Sequence, residues 1–130
     1  MAKGHRSQIK KGRNEGNKDI RPKAHARFVR VSDSKARIVL EQIKGKDVSA
    51  AVGILTYSPR YAASVILKVL KSAMANAENN LGYDPQSLYV EEVFANQGPT
   101  LKRIQPRARG QAYRILKRSS HISVILNRKE

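Results

Sequence analysis

The stretch from Asn96 to Ser120, NQGPTLKRIQPRARGQAYRILKRSS, limits what the rest of the chain can be. It holds Lys102, Arg103, Arg107, Arg109, Arg114, Lys117 and Arg118 and no acid. Cations without partners are too costly to bury, so these residues must lie outside any core. LYVEEVFA (Leu88–Ala95) precedes the stretch and the apolar run HISVIL (His121–Leu126) follows it. The pattern predicts two antiparallel strands joined by a basic, glycine-bearing tip, with its midpoint at Arg107. At ~3.3 Å per residue, the segment from Asn96 to Arg107 would project ~35 Å from the sheet. That is comparable to the body itself, whose radius of gyration would be about 13 Å. Pro99 and Pro106 each remove a ladder donor, and two-stranded ribbons are marginal alone. Such an arm must take its order from a partner.

Charge is segregated along the chain. Residues 1–30 and 96–130 carry +8 each, whereas 31–95 balance seven cations against seven acids, for a net charge of +16. A neutral globule with two cationic appendages points to a polyanion, since each neutralised phosphate releases condensed counterions. With no Cys, disulfides and thiolate metal sites are excluded. No apolar run approaches the ~20 residues that span a bilayer, and the N-terminus shows no secretory pattern.

Residues 1–22 have scattered charge and few apolar side chains, too few to offset ordering entropy, and are expected to form a disordered basic tail that contacts RNA. AHARFVRV (24–31) alternates as a short strand, with Ala24, Ala26, Phe28 and Arg30 on one face. Ser32 or Ser34 can cap a helix running to about Ile43, with Gly45 beyond it; Asp47 or Ser49 can cap a second around Ala50–Leu55, weakened by Gly53. The third helix has the firmest signal: Ser58 as N-cap, Pro59 at the first helical position, and Ala62, Val65, Ile66, Val69, Leu70, Ala73, Met74 and Ala77 at helical spacing. Asn79, Asn80 and Gly82 end it, and Asp84-Pro85 turns the chain into the hairpin. The fold class is therefore α+β: three helices packed on a small antiparallel sheet, with a long protruding β-hairpin (about 88–126) in a single domain over 23–130.

No phosphate loop, zinc-protease histidine pair or nucleophile elbow is present. Glu91 and Glu92 are adjacent, and regular strand alternation would send them to opposite faces. His5, His25 and His121 are scattered. An enzyme is not expected, nor a cofactor, nor a metal. Arg is enriched toward the arm's tip, and its planar fork suits phosphates and base edges. Alternation would set Arg103, Arg107 and Arg109 on one face with Ile104 opposite. Tyr113 is the one aromatic in the arm, whereas single-strand binders use platforms of stacked rings. Folded RNA, read by backbone and shape, is the better partner. The alternative is an architectural DNA-binding protein whose proline-tipped basic arm enters a minor groove.

Over residues 24–128 the chain resembles the universal ribosomal protein number twenty-two of the large subunit, in its bacterial form. The matching pieces are ARFVRVS (26–32), RYAASVILKVLKSAMANAENN (60–80), LYVEEVFANQGPTLKRIQPRARGQAYRI (88–115) and KRSSHISVIL (117–126). Lys102, then Arg107-Ala108-Arg109-Gly110-Gln111, then His121-Ile122-Ser123-Val124-Ile125-Leu126 reproduce the family's signature spacing. The resemblance implies a cytoplasmic structural constituent of the large ribosomal subunit that supports assembly, with no homo-oligomer and no membrane. Its partners would be 23S-type ribosomal RNA, neighbouring large-subunit proteins and the nascent peptide. The tip, Gln105, Pro106, Arg107, Ala108, Arg109, Gly110 and Gln111, would line the peptide exit tunnel, where changes in the family alter macrolide sensitivity. Lys102, Arg103, Arg114, Lys117, Arg118 and His121, with Arg107 and Arg109, would contact RNA. Two features depart from the family pattern: residues 1–22 exceed its shorter bacterial members, and Gln111 replaces a common cation.

Overall fold

Helix α4, Tyr61–Leu81, is the spine of the body, because its apolar residues recur at helical spacing. Ala62, Ala63, Ile66, Val69, Leu70, Ala73 and Ala77 are buried along it, and Gly82 closes it with its N–H donating to the Ala77 and Glu78 carbonyls. The structure, a computed structural model, describes residues 3–130, with side chains from Arg6 onward. The first two tail residues and the His5 side chain lie outside that range. The α4 helix begins at Tyr61 with Arg60 as N-cap, rather than at Pro59 with Ser58 as cap. Ser58 instead ends the preceding helix, so Pro59 falls in the connection.

Helix α2, Asp33–Ile43, is capped by Ser32, whose side chain accepts from the Lys35 N–H. Helix α3, Val48–Tyr57, has Asp47 at its N-cap without a side-chain cap bond, because that carboxylate pairs with Lys129. Strands β1 (Lys23–Val29), β2 (Leu88–Gln97) and β5 (Ser120–Arg128) form an antiparallel sheet in the order β1-β5-β2. Helix α2 packs against β2, and α4 against β1 and β5. Ile122, Val124 and Leu126 of the central strand meet Leu40, Ile43, Ile66 and Leu70 in one core. Strands β3 (Leu101–Pro106) and β4 (Ala112–Lys117) form a separate two-stranded sheet that extends the β2–β5 ladder. The expected α+β class and the hairpin are both present.

Four details differ from what periodicity predicts. Lys3–Gly16, read as disordered, forms a fourth helix, α1. Every described side chain on it is exposed, so it has no buried face. Its local support includes a Lys11–Glu15 pair at i,i+4 spacing, 3.9 Å apart. Lack of burial excludes packing, but not a helix drawn from local propensity.

The alternation of β1 breaks at a bulge between Ala26 and Val29, where Phe28 adopts φ 56°. Phe28 consequently leaves the Ala24 face and stands 65% exposed. A second bulge, between Val90 and Glu92, defeats the opposite-face expectation for Glu91 and Glu92. Both carboxylates reach Arg21 Nη1, at 2.9 and 3.5 Å. Arg21 also donates to Asp19 from its side chain and backbone, which holds that carboxyl at about 2. The pair is an anchor for an arginine, not an acid–base couple.

The fourth difference is the centre of the hairpin. Leu88 pairs with Arg128, so an unbroken ladder would oppose Leu101 to Ile115. It faces Lys117 instead. One residue is gained at the Val90 bulge and another across Gly98–Thr100. The turn therefore centres on Arg109, two residues beyond the expected midpoint.

Candidate nucleic-acid interface

At the root of the arm the two sheets meet through a tight contact. The Gly98 N–H donates to the Ser119 carbonyl at 2.8 Å, and the Ser119 hydroxyl donates to the Pro99 carbonyl. A Cβ on Gly98 would stand 2.8 Å from Ser119 Oγ and 3.3 Å from its carbonyl. Only glycine permits that approach. Beyond this point nothing in the arm enters the core: β3 is exposed at every position, and β4 everywhere but Ile115.

Register dictates which arm side chains share a face, because directly paired residues point the same way. Leu101 with Lys117, Arg103 with Ile115 and Gln105 with Tyr113 make one face. Lys102 with Leu116, Ile104 with Arg114 and Pro106 with Ala112 make the other. Each face thus carries two cations set beside exposed apolar groups. Among the described residues none of the arm's seven cations is in an ion pair, whereas Arg21, Lys23, Arg37 and Lys129 of the body all are. The ion pairs that form all lie outside the arm and leave its cations uncompensated.

Strand geometry stops at Pro106, so Arg107 and Arg109 do not continue the Arg103 face. Arg107 opens a 3-10 turn over Ala108–Gly110, closed by its N–H donating to the Gln111 carbonyl at 2.8 Å. Arg109 (φ 60°) and Gly110 (φ 70°) are both left-handed. Glycine suits that conformation; an arginine there is strained by about 1–2 kcal/mol. The Arg107 guanidinium lies over the Tyr113 ring, 5.5 Å from its centre, and the Tyr113 hydroxyl donates to Gln111 Oε1 at 3.1 Å. The tip is stiffened from within by this group, while Arg109 stands at the apex. Tyr113 escapes a reading based on cation spacing, although its being the arm's one aromatic was a signal. Gln111, the departure from the family's common cation, closes the network.

His121 is engaged on one side within the fold. Its Nδ1 accepts the Phe28 N–H at 3.0 Å, and its ring meets the Phe28 ring edge-on at 4.8 Å. It holds the β1 bulge in place. The remaining expected site residues, Lys102, Arg103, Arg114, Lys117 and Arg118, are exposed along the arm. Sequence reasoning also passed over Arg30, Lys35 and Arg60. These line a cleft of about 510 Å³ where the starts of α2 and α4 meet Leu116, Lys117 and Arg118. Among the described residues no group of three or more His, Asp or Glu side chains could hold a metal ion.

Residues 18–127 match the family model described as ribosomal protein L22p/L17e. A protein from Lachnoclostridium phytofermentans named large ribosomal subunit protein uL22 is 61% identical over 127 residues, covering 98% of each chain. One of the same name from Lachnospira eligens is likewise 61% identical over 98% of each chain. The namesake from Clostridium novyi is 56% identical over 104 residues, 80% of this chain and 94% of its own. The N-terminal segment is thus largely shared with the first two. With the family model matched across the whole body and arm, the chain belongs to the L22p/L17e family of ribosomal proteins.

Proposed function

We propose that this protein is a structural constituent of the cytoplasmic large ribosomal subunit, that its arm is enveloped by 23S-type ribosomal RNA, and that the tip at Gln105–Gln111 lines the nascent-peptide exit tunnel. Family membership supports the ribosomal setting and a structural rather than catalytic role. The observation that carries the RNA reading is the two-sided arm. A ribbon lying on a surface needs cations on one face, whereas Lys102 and Arg114 oppose Arg103 and Lys117 across this one. An element without a core, cationic on both faces and free of acids, suits a passage with phosphate on every side. The internally braced Arg107–Tyr113–Gln111 group suits a tip that must keep its shape where RNA gives way to open space. Neighbouring large-subunit proteins and the nascent chain are the other contacts, and assembly would be aided because the arm and the RNA order one another. No self-association is called for.

The test is to place a photo-crosslinking side chain at Arg109 and sediment a cell lysate through a gradient. The protein should co-sediment with large subunits, and on translating ribosomes Arg109 should crosslink to nascent chains. Sedimentation with nucleoid DNA would sink the ribosomal role. Large-subunit association with crosslinks confined to solvent-side proteins would sink the tunnel role alone.

A further inference from the structure

We propose that Arg21 straps the N-terminal helix to the body across the outer face of the sheet, so that residues 3–18 leave as a second arm with a set direction rather than as a free leader. The device is internal to the chain and goes beyond the ribosomal reading, since it acts in the free protein. Strands β1 and β2 are the two edges of the sheet, with β5 between them. Arg21 precedes β1, yet its Nη1 donates to Glu91 Oε2 at 2.9 Å and lies 3.5 Å from Glu92 Oε1, both on β2. The side chain therefore crosses the central strand. Its Nε and Nη2 donate to the two oxygens of Asp19 at 3.0 and 3.1 Å, and its backbone N–H donates to Asp19 Oδ1 at 3.1 Å. One guanidinium thus grips its own segment on one side and the far strand on the other. Isolated surface pairs contribute little, but a bidentate arginine within a network of several charges is the exception.

Two further observations mark this as a strap and not an incidental pair. Ile125 lies between Lys23 and Glu92 in register. It sits on the face opposite Val124 and Leu126, outside the core, yet is only 7% exposed. The strap passes over this position, and the aliphatic stems of long charged side chains cover apolar surface. The second is the bulge between Val90 and Glu92, which breaks the alternation and turns both carboxylates toward one nitrogen. From the strap back to the helix the chain is tied at nearly every residue. Asn17 and Lys18 donate to the Arg13 and Glu15 carbonyls, and the Pro22 carbonyl accepts the Leu126 N–H at 2.9 Å. Lys23 Nζ stands 3.7 Å from Asp19 Oδ2, and Asn76 Nδ2 donates to the Lys23 carbonyl at 2.9 Å. Direction matters because α1 is sided. Arg6, Lys10 and Arg13 follow i, i+4, i+7 spacing along one side, while Lys11 is matched to Glu15 on the other.

The chain has no cysteine, so spin labels can be placed at chosen pairs of sites. Labels at Asn14→Cys on α1 and Lys71→Cys on α4, both exposed, report the distance from helix to body by dipolar EPR. A second pair, Lys35→Cys with Lys71→Cys, reports the body alone. The parent should give one narrow distribution for the α1 pair. E91Q/E92Q keeps the side-chain shapes and removes the charges, and should widen that distribution about twofold while the body pair stays as it was. R21K keeps the charge but lacks the fork, and should widen it too. The control E41Q/E78Q removes two carboxylates that are in no ion pair among the described residues, and should change neither pair. A parent distribution as wide as that of E91Q/E92Q would show that nothing aims the helix. Narrow distributions retained in both E91Q/E92Q and R21K would show that the strap does not aim it. A body pair that widens along with the α1 pair would mean that these carboxylates hold the sheet and not the helix. Each of the three would overturn the proposal and leave the ribosomal reading, tested by sedimentation, untouched.

Discussion

Phe28 shows how one residue can serve the interface by refusing the regular strand. Its left-handed backbone is costly for a side chain of that size, roughly 1–2 kcal/mol, yet the bulge it makes carries the ring out of the Ala24 face and against His121. Truncating to alanine removes the ring contact, worth about 0.5–1.5 kcal/mol, and keeps the strain. Glycine removes the contact and the strain together. The usual order of the two residues in a strand, with alanine the more stable, should therefore invert. F28G should be the more stable variant by about 1 kcal/mol in urea melts. A more stable F28A would mean that the left-handed conformation is relaxed or that the bulge is lost on truncation. The Arg109–Gly110 pair at the tip follows the same logic, with the strain placed at the apex of the arm.

Among the elements, the arm is the one that can be removed. None of its side chains between Pro99 and Arg118 is buried, and the Gly98 N–H already bonds the Ser119 carbonyl across its base. Replacing residues 99–118 with an Asn-Gly turn closes that junction with a geometry strands favour. The remainder should melt cooperatively, within about 1 kcal/mol of the full chain, since shortening a loop changes its closure entropy little. Loss of the cooperative transition would show that the arm supports the core. The arm's lack of a buried side chain was legible in the charge pattern, and α4 and the Ser32 cap were legible in local spacing. The bulges at Phe28 and Val90 were not, because they depend on which β5 residue lies opposite. With the Val90 bulge and the residue gained across Gly98–Thr100 went the position of the turn, and with the former the shared grip of Glu91 and Glu92 on Arg21. The cations of the arm could be read as a list. The cleft could not, because its walls are distant in sequence and meet only when α2, α4 and β4 converge.

At the scale of the whole molecule, a net charge of +16 on 130 residues makes salt act in opposite directions on folding and on binding. In the free protein, most of the uncompensated charge sits on the arm, the cleft and α1. Self-repulsion among these groups weakens the compact state, and added salt screens it over a Debye length of about 10 Å at 0.1 M. The ion pairs that salt would also weaken are few and largely exposed, each worth about 1 kcal/mol or less. Raising potassium chloride from about 50 to 200 mM should thus leave the melting temperature of the free protein unchanged or a few degrees higher. Over the same interval, binding that engages six to ten phosphates should weaken by about 10³–10⁵. The two measurements need only the purified chain and a transcript. A melting temperature that falls with salt would mean that surface pairs outweigh repulsion. Affinity that falls by less than about tenfold would mean that the arm is held by its exposed Leu101, Ile104 and Leu116 rather than by its cations.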